Sequence, residues 1–174
     1  MKKIILLVFA ITLSFSGCEK DDICDGNTPT TPRLIIEFYD FADQTVLQNV
    51  TNLKVTGEGA TGVGTAAYLL FDAKSKIELP LKTTEDLTKY TLVLNYNDPL
   101  TTSTDELQFN YSRANVYVSR ACGFKTIYDL NGTSLTPFIL NNNPTLTQGN
   151  WIKNIEVIQS NINDENETHI KIYF

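Results

Sequence analysis

YTLVLNYNDPLTTSTDELQFNY, residues 90–111, alternates twice and breaks once. Tyr90, Leu92, Leu94 and Tyr96 alternate with Thr91, Val93 and Asn95. After the break, Leu107, Phe109 and Tyr111 alternate with Glu106, Gln108 and Asn110. A period of two puts successive side chains on opposite faces of a strand, and β-branched and aromatic residues suit a half-buried pleated surface. Between the runs, Asn97-Asp98-Pro99 is turn chemistry, because Asn and Asp bond their own backbone and Pro lacks a donor.

The same period recurs outward in both directions. Leu34, Ile36 and Phe38 alternate with Arg33, Ile35, Glu37 and Tyr39. Val116 and Val118 alternate with Asn115, Tyr117 and Ser119, and Ile170, Ile172 and Phe174 with His169, Lys171 and Tyr173. Less regular runs lie at residues 53–57, 68–71, 76–81, 124–128 and 151–158, and Asn131-Gly132 and Asn163-Asp164-Glu165-Asn166 supply further turns. Residues 129–150 read as one short strand, around Phe138-Ile139-Leu140, inside a long loop with an Asn run at Asn141-Asn142-Asn143. No window has the three-and-four spacing of a long amphipathic helix, and no internal repeat is present. The expectation is an all-β, antiparallel β-sandwich of about 8–10 short strands, with a small barrel as the near alternative.

The N-terminus belongs to a different class of segment. Lys2 and Lys3 precede an apolar run from residue 4 to 13, too short to cross a bilayer, which takes roughly 20 residues. Phe15-Ser16-Gly17-Cys18 follows, and small residues before a Cys resemble a bacterial lipobox, although Phe15 stands where Leu is usual. On this reading residues 1–17 are a cleaved signal and Cys18 is acylated. Residues 18–32, with Gly, Asn, Thr and Pro from Asp25 to Pro32, are a tether, and residues 33–174 form one domain. The plain alternative is an ordinary signal with a free Cys18. Each acyl chain contributes about 0.8 kcal/mol per buried CH₂, so two or three hold a domain on a membrane without a spanning segment. Lys20-Asp21-Asp22 resembles the surface-export tag of Bacteroidota lipoproteins, against the alternative of a solvated charged tether.

Composition narrows the function classes. The chain has 174 residues, 14 basic and 20 acidic, for a net charge of -6. Loss of Lys2 and Lys3 with the signal takes this to -8 on 157 residues, being 174 less 17. That balance gives no electrostatic footing for nucleic acid. One His and three Cys leave little for a metal site once Cys18 is acylated, since a structural zinc needs about four Cys or His ligands. No cofactor is expected. Cys24 and Cys122 remain, and an oxidising compartment favours a bridge between them over two free thiols.

Several constellations invite chemistry and have plainer readings. Gly57-Glu58-Gly59-Ala60-Thr61-Gly62 matches G-x-G-x-x-G, with Glu78 where a ribose-binding acid would stand. No βαβ pattern surrounds it, so a Gly-rich connection is the better reading. His169 lies on the polar side of the last strand and is expected to be solvated rather than part of a nucleophilic site. The acids Glu37, Asp40 and Asp43, and Asp164, Glu165 and Glu167, lack the spacing of a calcium loop and read as solvated surface rather than a glycosidase pair. Trp151 reads as core rather than a sugar platform. Arg113 and Arg120 read as partners of surface acids rather than anion ligands. Finally, an aromatic-ended strand at residues 169–174 suits an outer-membrane barrel, but most runs are shorter than the 9–11 residues a spanning strand needs.

Four stretches together resemble one family: Cys18 with Glu19-Lys20-Asp21-Asp22; Thr30-Thr31-Pro32-Arg33-Leu34-Ile35-Ile36-Glu37-Phe38-Tyr39-Asp40; Tyr117-Val118-Ser119-Arg120-Ala121-Cys122-Gly123-Phe124-Lys125; and Trp151-Ile152-Lys153 through to Thr168-His169-Ile170. The chain resembles uncharacterised Bacteroidota lipoproteins carrying a domain of unknown function. The resemblance implies a small lipid-anchored β domain, and it brings no activity and no functional residue beyond the acylated Cys18. The expectation is an outer-membrane, lipid-anchored protein displayed at the surface, with the periplasmic face as the alternative. Its partners are the membrane through the acyl chains, and another envelope protein or a glycan. A non-catalytic binding or structural role leads; a polysaccharide-binding accessory or glycan-active enzyme is the rival.

Overall fold

The computed structural model describes residues 23–28, 30–58 and 68–174. Cys18, the Lys20-Asp21-Asp22 segment and most of the Gly57–Gly62 fingerprint therefore lie outside the described residues. Among the described residues twelve strands are formed, two more than the upper expectation: β1 (Leu34–Tyr39), β2 (Leu53–Gly57), β3 (Leu69–Phe71), β4 (Lys76–Leu79), β5 (Leu87–Leu94), β6 (Ser103–Asn110), β7 (Ser112–Ser119), β8 (Gly123–Asp129), β9 (Phe138–Leu140), β10 (Asn154–Val157), β11 (Asn161–Ile162) and β12 (Ile170–Tyr173). No helix occurs among the described residues. The surplus is in very short strands such as β11, whose two residues are too few to show a period.

The alternation at residues 90–111 becomes the β5–β6 hairpin, paired antiparallel from Leu87 opposite Asn110 to Leu94 opposite Ser103. Its buried face carries Thr88, Tyr90 and Leu92 on β5, opposite Phe109, Leu107 and Asp105 on β6. This hairpin centres a five-stranded sheet, β3-β2-β5-β6-β9. A four-stranded sheet, β10-β12-β1-β4, supplies the other half of the core through Leu34, Ile36, Phe38, Ile77, Ile170 and Ile172. The two layers are joined at Trp151, whose indole Nε1–H donates to Leu92 O at 3.4 Å and whose ring meets Phe174 edge-on at 5.5 Å. Burying each such side chain is worth about 1.5–3 kcal/mol, which is why these alternating faces find each other.

One pairing departs from the antiparallel expectation. β1 and β12 run parallel, with Ile36 beside Ile170 and Tyr39 beside Tyr173. A parallel pair needs a long crossover, and here nearly the whole domain serves as that connection.

The third sheet, β11-β8-β7, is less covered. The expected half-buried strand around Val116 and Val118 is instead an edge strand with Val116 and Tyr117 in solvent. β11 pairs only with Tyr128 and Asp129, at the base of the β7–β8 hairpin, so among the described residues no third strand pairs with the outer half of the hairpin. At its tip Gly123 takes φ +71°, a backbone conformation that glycine adopts at little cost.

Candidate functional site

The hairpin tip is where the N-terminal segment is fastened. Cys24 and Cys122 form a disulfide, with Cα atoms 5.0 Å apart and a sequence separation of 98. The Ser119 hydroxyl accepts the Cys122 N–H at 3.0 Å and shapes the turn. A second fastening lies further along, where the Thr126 N–H donates to Thr31 Oγ1 at 3.0 Å. Between the segment and the hairpin lies a half-open groove of about 300 Å³, lined by Cys24, Thr28, Thr31, Val118, Cys122 and Phe124 among others. Its walls offer threonine hydroxyls and apolar surface; among the described residues the ionisable side chain lining it is Lys125.

The residues that suggested chemistry are engaged elsewhere. His169 is buried, correcting the expected solvated side chain. Its Nδ1 accepts the Ile35 N–H at 2.9 Å, so in the neutral ring Nε2 carries the proton, and the His169 backbone N–H donates to Ile35 O at 3.1 Å. Burial lowers its pKa from the usual 6.5, opposed by Asp164, Glu167 and Glu165 nearby. The ring extends β12 backwards as a backbone mimic beside β1, which removes it from solvent.

The acid clusters build turns. Asp40 Oδ1 accepts the Ala42 and Asp43 N–H groups, Asp43 holds Thr45, and Glu37 accepts the Tyr39 hydroxyl. Asp164 caps Asn166, and Glu165 accepts the Arg33 N–H at 2.8 Å, pinning the start of the domain. No grouping of three or more His, Cys, Asp and Glu among the described residues could hold a metal ion. Arg113 pairs with Asp86 at 2.7 Å, as a surface cation does, and Arg120 stands exposed in the hairpin turn. Trp151 is buried in the core. Gly57 ends β2, residues 68–76 contain strand β3 and a turn, and Glu78 lies on β4 facing Arg33 at 3.7 Å.

Two polar networks were not singled out in the sequence. Asp105 is fully buried, and its carboxylate accepts four N–H groups, from Asn141 Nδ2 and Asn150 N at 2.7 Å each and from Trp151 N and Ile152 N at 2.9 Å each. The signal was available: counting back by twos from Tyr111, Phe109 and Leu107 puts Asp105 on the inward face. The second network closes the crossing from β4 to β5. Thr88 Oγ1 lies 2.6 Å from the Tyr111 hydroxyl and accepts the Lys82 N–H at 2.9 Å. Tyr111 donates to Lys82 O at 3.1 Å, Tyr128 to Leu81 O at 3.2 Å, and Tyr90 to Pro80 O. Burial raises all three tyrosine pKa values, those of Tyr111 and Tyr128 to about 12. These hydroxyls hold backbone and are not poised as acids or bases.

A family model describes residues 52–174 of this chain. The chain belongs to DUF6452, a family of unknown function. The DUF6452 match includes Cys122 but begins after Cys24 and β1, although β1 lies between β12 and β4 in the four-stranded sheet. The folded unit is therefore larger than the matched segment. No curated protein and no solved structure matches the chain.

Proposed function

We propose that the protein is a lipid-anchored, non-catalytic envelope component of the Bacteroidota lipoprotein type, held on the outer membrane through acylated Cys18 and displayed at the surface. The observation that carries this reading is the Cys24–Cys122 disulfide, which joins the segment after Cys18 to the body of the domain. Disulfides persist in exported, oxidising compartments. The bond also suits a tethered protein mechanically, because a pull on the N-terminus is delivered to the β7–β8 turn and does not peel β1 from its sheet. Support for a non-catalytic role comes from the polar groups themselves. Asp105, His169 and the Tyr90, Tyr111 and Tyr128 hydroxyls all bond backbone.

The experiment is fatty-acid labelling in a bacterial host that processes lipoproteins. The native chain is expected to incorporate a clickable fatty acid and fractionate with the outer membrane, whereas Cys18→Ala does neither. Label retained in Cys18→Ala would end the reading. Display is tested separately: changing Lys20, Asp21 and Asp22 to Ala is expected to protect the domain from protease added to intact cells. Equal digestion of both forms would reduce that segment to a spacer.

A further inference from the structure

The path from Cys18 to the hairpin tip is short. Cys24 follows Cys18 by six residues, which span at most about 21 Å when fully extended. Without the disulfide the first fastening would be Thr31, thirteen residues on, at a reach of about 45 Å. The bond to Cys122 therefore halves the leash and fixes which end of the domain faces the anchor.

That end is apolar. Ile23 is 79% exposed, Phe124 68% and Tyr117 59%. Tyr117 and Phe124 are directly opposed in the β7–β8 register, with rings edge-on at 5.5 Å. Phe124 is two residues from Cys122, and Ile23 is adjacent to Cys24. Arg120, in the same turn, is exposed. Another exposed apolar group, Phe41, Val46 and Leu47, lies in the β1–β2 connection, but no covalent link ties it to the N-terminal segment.

We propose that the β7–β8 tip docks on the lipid surface that holds Cys18, with Ile23, Tyr117 and Phe124 seated at the headgroup level and Arg120 beside the phosphates. This rests on the reading of Cys18 as lipidated. Amphipathic aromatic rings partition to the membrane interface, with the apolar body in and the hydroxyl out. Arginine forms charge-assisted bonds with phosphate. Three side chains suffice because a short leash supplies a local concentration of about millimolar order, so a contact with a dissociation constant of that order is already largely formed. The acids Asp21, Asp22 and Asp25 in the same segment make the contact apolar rather than a general attraction to anionic lipid. The domain then lies against the bilayer by one defined end.

The test uses the full lipoprotein reconstituted in phosphatidylethanolamine–phosphatidylglycerol vesicles, with and without brominated lipid. The native protein has one tryptophan, the buried Trp151, and sets the baseline. Phe124→Trp is expected to add blue-shifted emission that brominated lipid quenches about twofold. Adding Cys24→Ser and Cys122→Ser is expected to weaken that quenching while the protein still floats with the vesicles. Phe124→Trp protein that floats but is neither shifted nor quenched overturns the docking and leaves the anchor standing. Blue-shifted, unquenched emission from a dimer in sedimentation overturns it in favour of a second copy on edge strand β7. Protein that does not float, and whose N-terminal peptide lacks acyl mass on Cys18, ends the anchor reading and the docking with it.

Discussion

Asp105 Oδ2 accepts the backbone N–H of Trp151 at 2.9 Å, so a buried carboxylate on β6 positions the ring that bridges the two main sheets. The same carboxylate takes the N–H groups of Asn150 and Ile152. Four donors replace the water this charge loses on burial, and bonds to an ionised acceptor are roughly twice as strong as neutral ones. The loop before β10 is thus folded around one side chain.

Asp105→Ala leaves the buried Trp151 and Ile152 N–H groups without an acceptor. Each costs about 1–3 kcal/mol, so the variant is expected to lose at least about 2 kcal/mol in urea unfolding. Gly149→Ala should also destabilise, since an added Cβ would stand 2.3 Å from Asp105 Oδ1. Near-native stability in both would show that the loop is held by other contacts.

The disulfide closes a separation of 98 residues. In the chain-entropy view a loop of this size contributes up to about 4.7 kcal/mol, and removal of native bonds commonly costs about 2–5 kcal/mol. Cys24→Ser with Cys122→Ser is expected to lower stability within that span and to leave labelling at Cys18 unchanged. Thiol titration of protein purified without reductant should find both cysteines blocked; two free thiols would contradict the bond.

Acid should weaken the protein through His169. Its folded pKa lies below the usual 6.5 because the ring is buried, and protonating Nδ1 breaks its bond from Ile35 N–H. The unfolded chain then binds more protons than the folded one, so stability falls as pH drops from about 6.5 toward the lowered value, by at most about 1.4 kcal/mol per pH unit. Urea midpoints at pH 7.5 and 5.5 should differ in the native protein and differ less in His169→Gln. Equal slopes in the two would show that His169 does not carry the effect.

Tyr111→Phe removes the hydroxyl shared by Thr88 and Lys82 O but keeps the ring against Tyr128, 5.1 Å away. A loss of about 1–2 kcal/mol is expected in denaturant unfolding. Spectrophotometric titration should show Tyr90, Tyr111 and Tyr128 ionising late in the native protein, with Tyr111 and Tyr128 at about 12.

Strands were most legible where local chemistry obeys the period of two. The β5–β6 hairpin and β1 fall where residues 90–111 and 33–39 place them, although Ile35, on the opposite phase of β1, is also fully buried. Val116 and Val118 carry the same pattern, yet β7 is exposed, because alternation reports side-chain chemistry and not whether a neighbouring layer exists. His169 has the phase of an outward residue, and only pairing with β1, distant in sequence, buries it. The parallel β1–β12 contact has no local signal at all. The disulfide followed from counting cysteines, whereas Asp105 was visible only to a reader who carried the inward phase two residues further back.

The pairing of β1 with β12 sets an order of events. Ile35 and His169 bond each other across 134 residues, and β10 reaches the sheet only through β12. A chain that emerges N-terminus first can assemble from this layer only β1 with β4 until β12 has been made. Two isolated strands are marginal in water. The layer therefore stays open until β12 is present, so its closure couples the two most distant strands of the fold. Deletion of residues 170–174 should leave a layer that never closes.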